Sequence, residues 1–173
     1  ACVGCSFNTE LTEELYGMLG RELRKNRIDA LLGPGLNIHR HPLNGRNFEY
    51  ISEDPIVTGK IGAAMVRGLN VVGSTGTIKH FCGNNQEHSR RKAEGVISER
   101  ALREIYLKVF EIAVKEGNAR SVMTTYGPGN GLWTAGSYDL CTTVLRNEWG
   151  YDGFVMTDWW AESNREGEDS AMT

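Results

Sequence analysis

The side chains of this chain that could do chemistry gather at the downstream ends of short apolar runs. The clearest case is Gly153-Phe154-Val155-Met156-Thr157-Asp158-Trp159-Trp160, where apolar and β-prone residues lead straight into an acid flanked by aromatics. A buried strand that ends on a carboxylate delivers that group to the rim of a sheet, and the aromatic neighbours supply a flat apolar wall that excludes water. Taken alone, an Asp after a strand reads equally well as a turn or cap residue. Other polar groups follow the same rule. Arg46, Glu49 and Asp54 come after the first apolar run and its irregular loop. Lys79-His80 closes the next run, with Glu87 and Arg90 beyond it, and Met123 and Tyr126 close the one after. In a parallel sheet all strand ends lie along one face, so these groups can converge although they are far apart in the chain.

The residue types point to a neutral, hydroxyl-rich ligand. Asn, Arg, Lys, His and Tyr around an Asp-Trp pair match a sugar, which needs paired hydrogen bonds to vicinal hydroxyls and an aromatic face for its apolar side. Phosphate is a poor fit: Gly33-Pro34-Gly35 and Gly127-Pro128-Gly129-Asn130-Gly131 neither match a P-loop nor open a helix, and read as turns. Each group also has a plain structural reading. Lys79 could snorkel to solvent, His80 could be a satisfied core histidine, and Arg46 could pair with Glu49 or Asp54 only to hold its loop. Met123 and Tyr126 could be core. Glu111 and Glu116 belong to a solvated helix face, and Glu162, Glu166, Glu168 and Asp169 form an acidic run expected to be exposed.

The elements that must position these groups alternate between helical and extended patterns. Residues 12–25 place Leu15, Met18, Leu19 and Leu23 on one helical face. Residues 29–32 read as a short buried strand, and Pro55 opens a helix to about Leu69 with Ile56, Ile61, Ala64 and Met65 as its apolar side. Residues 77–81 form the next strand, with a further short strand at Val96 and Ile97. Leu102, Ile105, Tyr106, Val109, Ile112 and Ala113 recur at helical spacing over 99–116, and Gly117 is a natural C-terminal cap. A strand over 121–126, a glycine-rich loop over 127–137 and a helix over 139–147 lead back to the Asp158 strand. Strands separated by helices imply an α/β fold of parallel-strand βαβ units. A complete (β/α)8 barrel takes roughly 200–250 residues, so a chain of 173 holds an open sheet or part of a barrel.

Bulk composition narrows the classes. The chain is 40% hydrophobic and 24% charged, with a net charge of −3, which gives no reason to expect nucleic acid or an anionic membrane as a partner. No apolar run approaches bilayer length, and no signal-peptide pattern stands at the start. Cys2 and Cys5 form a lone C-x-x-C with no second pair to complete a zinc site, so no metal is expected. Cys2, Cys5, Cys82 and Cys141 read as buried structural thiols suited to a reducing, cytoplasmic compartment.

Five segments in order, Gly45-Arg46-Asn47-Phe48-Glu49-Tyr50, Ser52-Glu53-Asp54-Pro55, Lys79-His80-Phe81, Val122-Met123 with Tyr126, and Thr157-Asp158-Trp159, resemble the motifs of glycoside hydrolase family 3. This is the family of β-glucosidases and β-xylosidases, and the resemblance runs over nearly the whole chain. It implies that residues 1–173 are one partial (β/α)8 TIM-like barrel domain carrying the nucleophile, acting without a cofactor on a terminal β-linked glucose. By the same resemblance Asp158 is the catalytic nucleophile, and Arg46, Lys79, His80 and Arg90 bind the sugar. Tyr126 would sit beside the nucleophile, with Met123 and Trp159 lining the pocket. Neighbouring Lys79, Arg46 and Arg90 would favour the ionised Asp158, and Tyr126 could donate a hydrogen bond to it.

Two departures qualify the match. The subgroup acting on N-acetylglucosaminides carries its acid as a second His after Lys-His-Phe, whereas this loop reads Cys82-Gly83-Asn84-Asn85-Gln86-Glu87. Gly127 stands where relatives usually have Asn, a difference expected at the pocket floor. The resemblance also implies an earlier strand with a sugar-binding Asp, and an acid/base Glu from a separate α/β sandwich; Glu87 and Glu49 are the internal candidates for the acid, though the family assigns neither that role. The partners expected are therefore a β-glucoside or oligosaccharide and the remaining domains of a longer enzyme, with the chain inactive by itself and its sheet edges able to pair copies. Two other readings stay open: a non-catalytic carbohydrate-binding or structural partial barrel, and a barrel enzyme using Lys79 as a Schiff-base amine.

Overall fold

A computed structural model describes residues 1–161. Its central sheet has four parallel strands, β1 (Ala30–Leu31), β2 (Thr75–Phe81), β3 (Ser121–Thr124) and β6 (Phe154–Met156), in the order β1-β2-β3-β6. Ala30 lies opposite Thr75, Thr77 opposite Ser121, and Ser121 opposite Phe154. Strands alternate with helices throughout, so the expected α/β architecture of parallel βαβ units, an incomplete (β/α)8 barrel, is what forms. Ile78, Phe81 and Val122 from the sheet meet Val66, Val109, Phe110 and Leu145 from the helices in one buried core. Within it Phe81 meets Phe110 edge to face at 5.2 Å between centroids. No helix among the described residues is long and apolar enough to cross a membrane.

Helix α2 (Pro55–Val71) begins where its sequence dictates. The Asp54 carboxylate accepts from the backbone N–H groups of Ile56 and Val57 at 2.7 and 2.8 Å, and Pro55 takes the first turn. Asp54 is thus a cap rather than a ligand-facing group. The helix is buried around most of its circumference, because the sheet covers one side and neighbouring helices the other; Ile56, in the first turn beyond that packing, is exposed.

Helix α1 (Thr9–Lys25) overturns the expected apolar face. Thr12, Gly17 and Gly20 are its buried residues, whereas Leu15 and Met18 are exposed. The reason is the closeness of its partner. A Cβ on Gly68 of α2 would stand 2.3 Å from the Glu13 carbonyl oxygen, and one on Gly20 2.4 Å from Val72 Cγ2. Two helices that close need a stripe of small residues, and that stripe rather than the leucines faces α2.

The expected 99–116 helix forms in pieces: α3 (Glu99–Ala101), a wider π-helical stretch at Leu102–Tyr106, and α4 (Lys108–Lys115). Leu107 donates to the Leu102 carbonyl at 2.8 Å, the five-residue span of a π turn. Gly117 is not the left-handed residue at its end; Asn118 is, with φ 54°. Glycine is required at 117 by packing instead, since a Cβ there would lie 2.9 Å from the Ala63 Cα of α2.

The glycine-rich stretch holds a small hairpin, β4 (Pro128–Gly129) with β5 (Leu132–Trp133), turned by Asn130 and Gly131 at positive φ. The expected strand at Val96 and Ile97 does not form. Ile97 is instead held by the Asn130 side chain, which accepts from its N–H at 2.8 Å and donates to its carbonyl at 2.9 Å. The 139–147 segment is helical over Asp139–Glu148, with π-type bonding. Of the four thiols only Cys82 is buried. Cys141 is half-buried, and Cys2 and Cys5 are exposed, Cys5 within the single 3-10 turn at Gly4–Ser6 and Cys2 two residues before it. The acidic run at Glu162, Glu166, Glu168 and Asp169 lies outside the described residues.

Candidate active site

The carboxyl ends of the strands open into a cavity of about 320 Å³ lined by Arg46, Lys79, His80, Arg90, Met123, Tyr126, Asp158 and Trp159, together with Leu32 and Trp160. The eight candidates chosen from sequence therefore face one space. Four elements deliver them: the loop after β1, the end of β2 with its following loop, the end of β3, and the turn after β6. Among the described residues no group of three or more His, Cys, Asp or Glu side chains could hold a metal ion.

Asp158 stands two residues beyond β6. Its Oδ1 accepts from the Trp159 N–H at 2.7 Å, and its Oδ2 lies 3.6 Å from His80 Nε2. The cations do not pair with it directly. Arg46 Nε binds Glu49 Oε1, and Lys79 Nζ lies 3.5 Å from Glu49 Oε2. Glu87 takes Arg90 at 2.8 Å and faces Arg46 at 3.7 Å. Two carboxylates thus hold three cations along one wall, and Arg46, Lys79 and Arg90 share the cavity with Asp158 without an ion pair to it among the described residues. Glu49 and Glu87 are closer partners, because the loop after β1 and the loop after β2 fold against each other. Tyr126 is packed beneath Arg90, whose Cζ lies 4.3 Å from its ring centroid. Burial, and then the negative charge of Asp158, push the Tyr126 phenol up, so it stays a neutral hydrogen-bond donor. The expected Tyr126–Asp158 hydrogen bond is not among the bonds of the described residues, although the phenol feels the carboxylate.

His80 is almost wholly enclosed and its surroundings assign its protons. Its backbone N–H donates to Asn37 Oδ1 at 2.8 Å, and its carbonyl accepts from Asn37 Nδ2 at 2.9 Å. The Tyr50 hydroxyl accepts from Asn84 at 2.8 Å and sits 3.2 Å from His80 Nδ1. Nδ1 also lies 3.4 Å from Asn37 Oδ1, whereas Nε2 faces the Asp158 carboxylate, which can only accept; a proton on Nε2, with the Tyr50 hydroxyl donating to Nδ1, gives both the hydroxyl and the carboxylate a partner. Burial, and then Arg46, Lys79 and Arg90, lower the imidazole pKa to about 2. An unfolded His titrates near 6.5, so the unfolded chain binds the extra proton across the interval between these values and the folded chain does not. Folding stability is then lost as pH falls below about 6.5, by up to roughly 1.4 kcal/mol per pH unit, and is untouched above it. Denaturant unfolding of the full-length protein between pH 7 and 4.5 should show this slope, and His80→Asn should flatten it. An unchanged slope in the variant would show that other groups set the acid response.

Sequence reasoning passed over several residues now seen to matter. Asn37, Tyr50 and Asn84 orient His80 and Glu87 from beneath, and Asn84 donates to Glu87 Oε1 at 2.8 Å. A buried Asn in a loop was the available signal for two of them. Trp160 reaches the pocket with φ 56°, an outlier for a bulky side chain, and packs edge to face on Trp159 at 5.9 Å. Gly127 does not form the floor of this pocket. It lines a neighbouring cavity of about 400 Å³ that shares Arg90, and a Cβ there would meet the Arg90 carbonyl oxygen at 3.3 Å.

Comparison with known proteins places the chain. The profile of the glycosyl hydrolase family 3 N-terminal domain matches residues 2–169. A beta-glucosidase of Ruminococcus albus is 64% identical over 165 residues, which is 95% of this chain and 17% of that protein. The structure of a beta-glucosidase from Paenibacillus barengoltzii superposes with a TM-score of 0.90 at 64% identity, over 91% of this chain and 17% of the other. Beta-glucosidase 3B from Thermotoga neapolitana in complex with glucose gives a TM-score of 0.90 at 48% identity, over 91% and 22%. The chain thus spans about a fifth or less of the length of these two beta-glucosidases and likewise of the Ruminococcus protein.

Proposed function

The chain belongs to glycosyl hydrolase family 3, and on that premise we propose that it supplies the nucleophile-bearing part of a retaining β-glucosidase. The observation that carries this reading is the single cavity in which Asp158, at the end of β6, meets Arg46, Lys79, His80 and Arg90 beside Trp159. The names and complexes of the relatives, a beta-glucosidase and a glucose-bound beta-glucosidase, support glucose as the sugar.

The roles then follow from the chemistry. One Asp158 oxygen attacks the anomeric carbon as the glycosidic bond breaks, and an acid gives its proton to the departing oxygen. Water next adds to the same carbon, the acid's conjugate base takes the water's proton, and the ester to Asp158 breaks. The cationic wall binds sugar hydroxyls; Trp159 covers the ring's apolar side. His80, neutral with its proton on Nε2, donates toward the site without adding charge.

Glu49 and Glu87 are both engaged as anchors of Arg46, Lys79 and Arg90, which supports an acid/base from outside this chain. The same ion pairing weighs against Lys79 as a Schiff-base amine, because its ammonium is engaged by Glu49. The test is to follow hydrolysis of an aryl β-glucoside by the full-length enzyme with proton NMR. β-Glucose appearing before mutarotation is expected. First appearance of the α-anomer means an inverting enzyme, and no hydrolysis favours a non-catalytic carbohydrate-binding role.

A further inference from the structure

We propose that Arg91 is a positioning residue, tying Tyr126 to the turn that carries Asp158; the inference rests on the glucosidase reading of the pocket. Arg91 lies in the loop after β2, Tyr126 just after β3, and Trp159 just after β6, so this one side chain links the connections leaving three neighbouring strands. Its guanidinium Cζ is 4.9 Å from the Tyr126 ring centroid. Its Nη2 donates to the Trp159 carbonyl at 3.5 Å. That carbonyl belongs to the residue immediately after Asp158, whose Oδ1 is itself held by the Trp159 N–H.

Arg91 and its neighbour divide the work. Arg90 faces the cavity, binds Glu87 and stacks on the same Tyr126 ring at 4.3 Å. Arg91 is exposed and is not among the residues that line that cavity, so its contacts run to Tyr126 and Trp159. What it can do is fix the ring plane of Tyr126 and the path of the turn beside it. A planar guanidinium suits both tasks, because it stacks on an aromatic face and still presents in-plane N–H donors. Lysine offers the charge without the plane. Loosening this tether lets the phenol and the carboxylate drift relative to each other, and small misplacements of an attacking group cost rate rather than affinity.

The experiment compares Arg91→Met, Arg91→Lys, Tyr126→Phe and the Arg91→Met/Tyr126→Phe double variant in the full-length enzyme on an aryl β-glucoside. Arg91→Met is expected to lower kcat about 10- to 50-fold with KM within about twofold and the thermal midpoint nearly unchanged. Arg91→Lys should recover part of the loss. In the Tyr126→Phe background the Arg91→Met loss should shrink at least about fivefold, because the tether acts through that side chain. Hydrogen exchange should also quicken in the peptide spanning 154–161. Unchanged kcat, an equal loss in both backgrounds, or unchanged exchange overturns the proposal. Should the parent enzyme leave the glucoside intact, the glucosidase reading fails, while the exchange measurement still judges the tether.

Discussion

Asp158→Ala in the full-length enzyme is expected to lower turnover of an aryl β-glucoside by about four orders of magnitude or more, a barrier increase of roughly 5 kcal/mol or above. The loss should fall on kcat, because the sugar contacts proposed for Arg46, Lys79, His80 and Arg90 would remain. Folding should change little. Asp158 gives up one hydrogen bond to the Trp159 N–H and a 3.6 Å contact with His80, neither of which anchors the core. A net cost of about 1 kcal/mol is the appropriate scale. A 2-deoxy-2-fluoro glucosyl fluoride should trap the covalent ester, and peptide mass mapping should find it on Asp158. A label on Glu49 or Glu87 would reassign the nucleophile, and full activity in the alanine variant would make Asp158 structural.

Glu49→Gln should be the second severe change, with a different signature. The side chain is about one-fifth exposed and binds Arg46 through one oxygen and Lys79 through the other. Neutralising it leaves Arg46 with only Glu87, at 3.7 Å, and takes from Lys79 the one ion pair it makes among the described residues. Breaking a buried ion pair costs about 3–5 kcal/mol; with this degree of solvent access about 2–3 kcal/mol is expected, read as a lower denaturation midpoint. The wall proposed to bind the sugar loosens with it, so KM should rise on the order of 100-fold while kcat changes less. Added azide should not restore turnover, because the leaving group's proton is proposed to come from an acid outside this chain. Rescue by azide, with a glucosyl azide as product, would make Glu49 the acid/base and place both carboxylates of the machine in this chain.

The two predictions draw on different amounts of sequence information. Asp158, Lys79 and Tyr126 were legible because an apolar run ending in a polar group marks the end of a strand, and parallel strands bring their ends together. The acceptors of the cations were not. Glu49 was visible as a local partner of Arg46, but its bond to Lys79 depends on how the loop after β1 crosses β2. The face of α1 was misread for a related reason. Periodicity locates leucines on a cylinder, yet it was Gly17, Gly20 and Gly68, by permitting close approach, that decided which side turned inward. Arg91 sat in a polar loop where a run of basic residues normally means solvent, and only the folded path of that loop brings it to Tyr126. The π turn at Leu102–Tyr106 had no periodic signature either, since the apolar residues from Leu102 through Ala113 keep recurring at ordinary helical spacing across it.

The strand order β1-β2-β3-β6 carries a consequence for how such a site can vary. Neighbours in the sheet follow one another along the chain, with only the short β4–β5 hairpin intervening. Each connection therefore runs between adjacent strands, and the pocket is closed where connections touch: the loop after β1 meets the end of β2 and its loop through Glu49 with Lys79 and Arg46 with Glu87, and the loop after β2 meets the turn after β6 through Arg91. Beyond Arg91, the segment between β2 and α3 can lengthen, shorten or change character while Glu87, Arg90 and Arg91 keep their contacts and the strand bearing Asp158 keeps its register. Lineages that share this frame are free to diversify the rim of the cavity in those outer stretches, with the carboxylate proposed as nucleophile inherited intact.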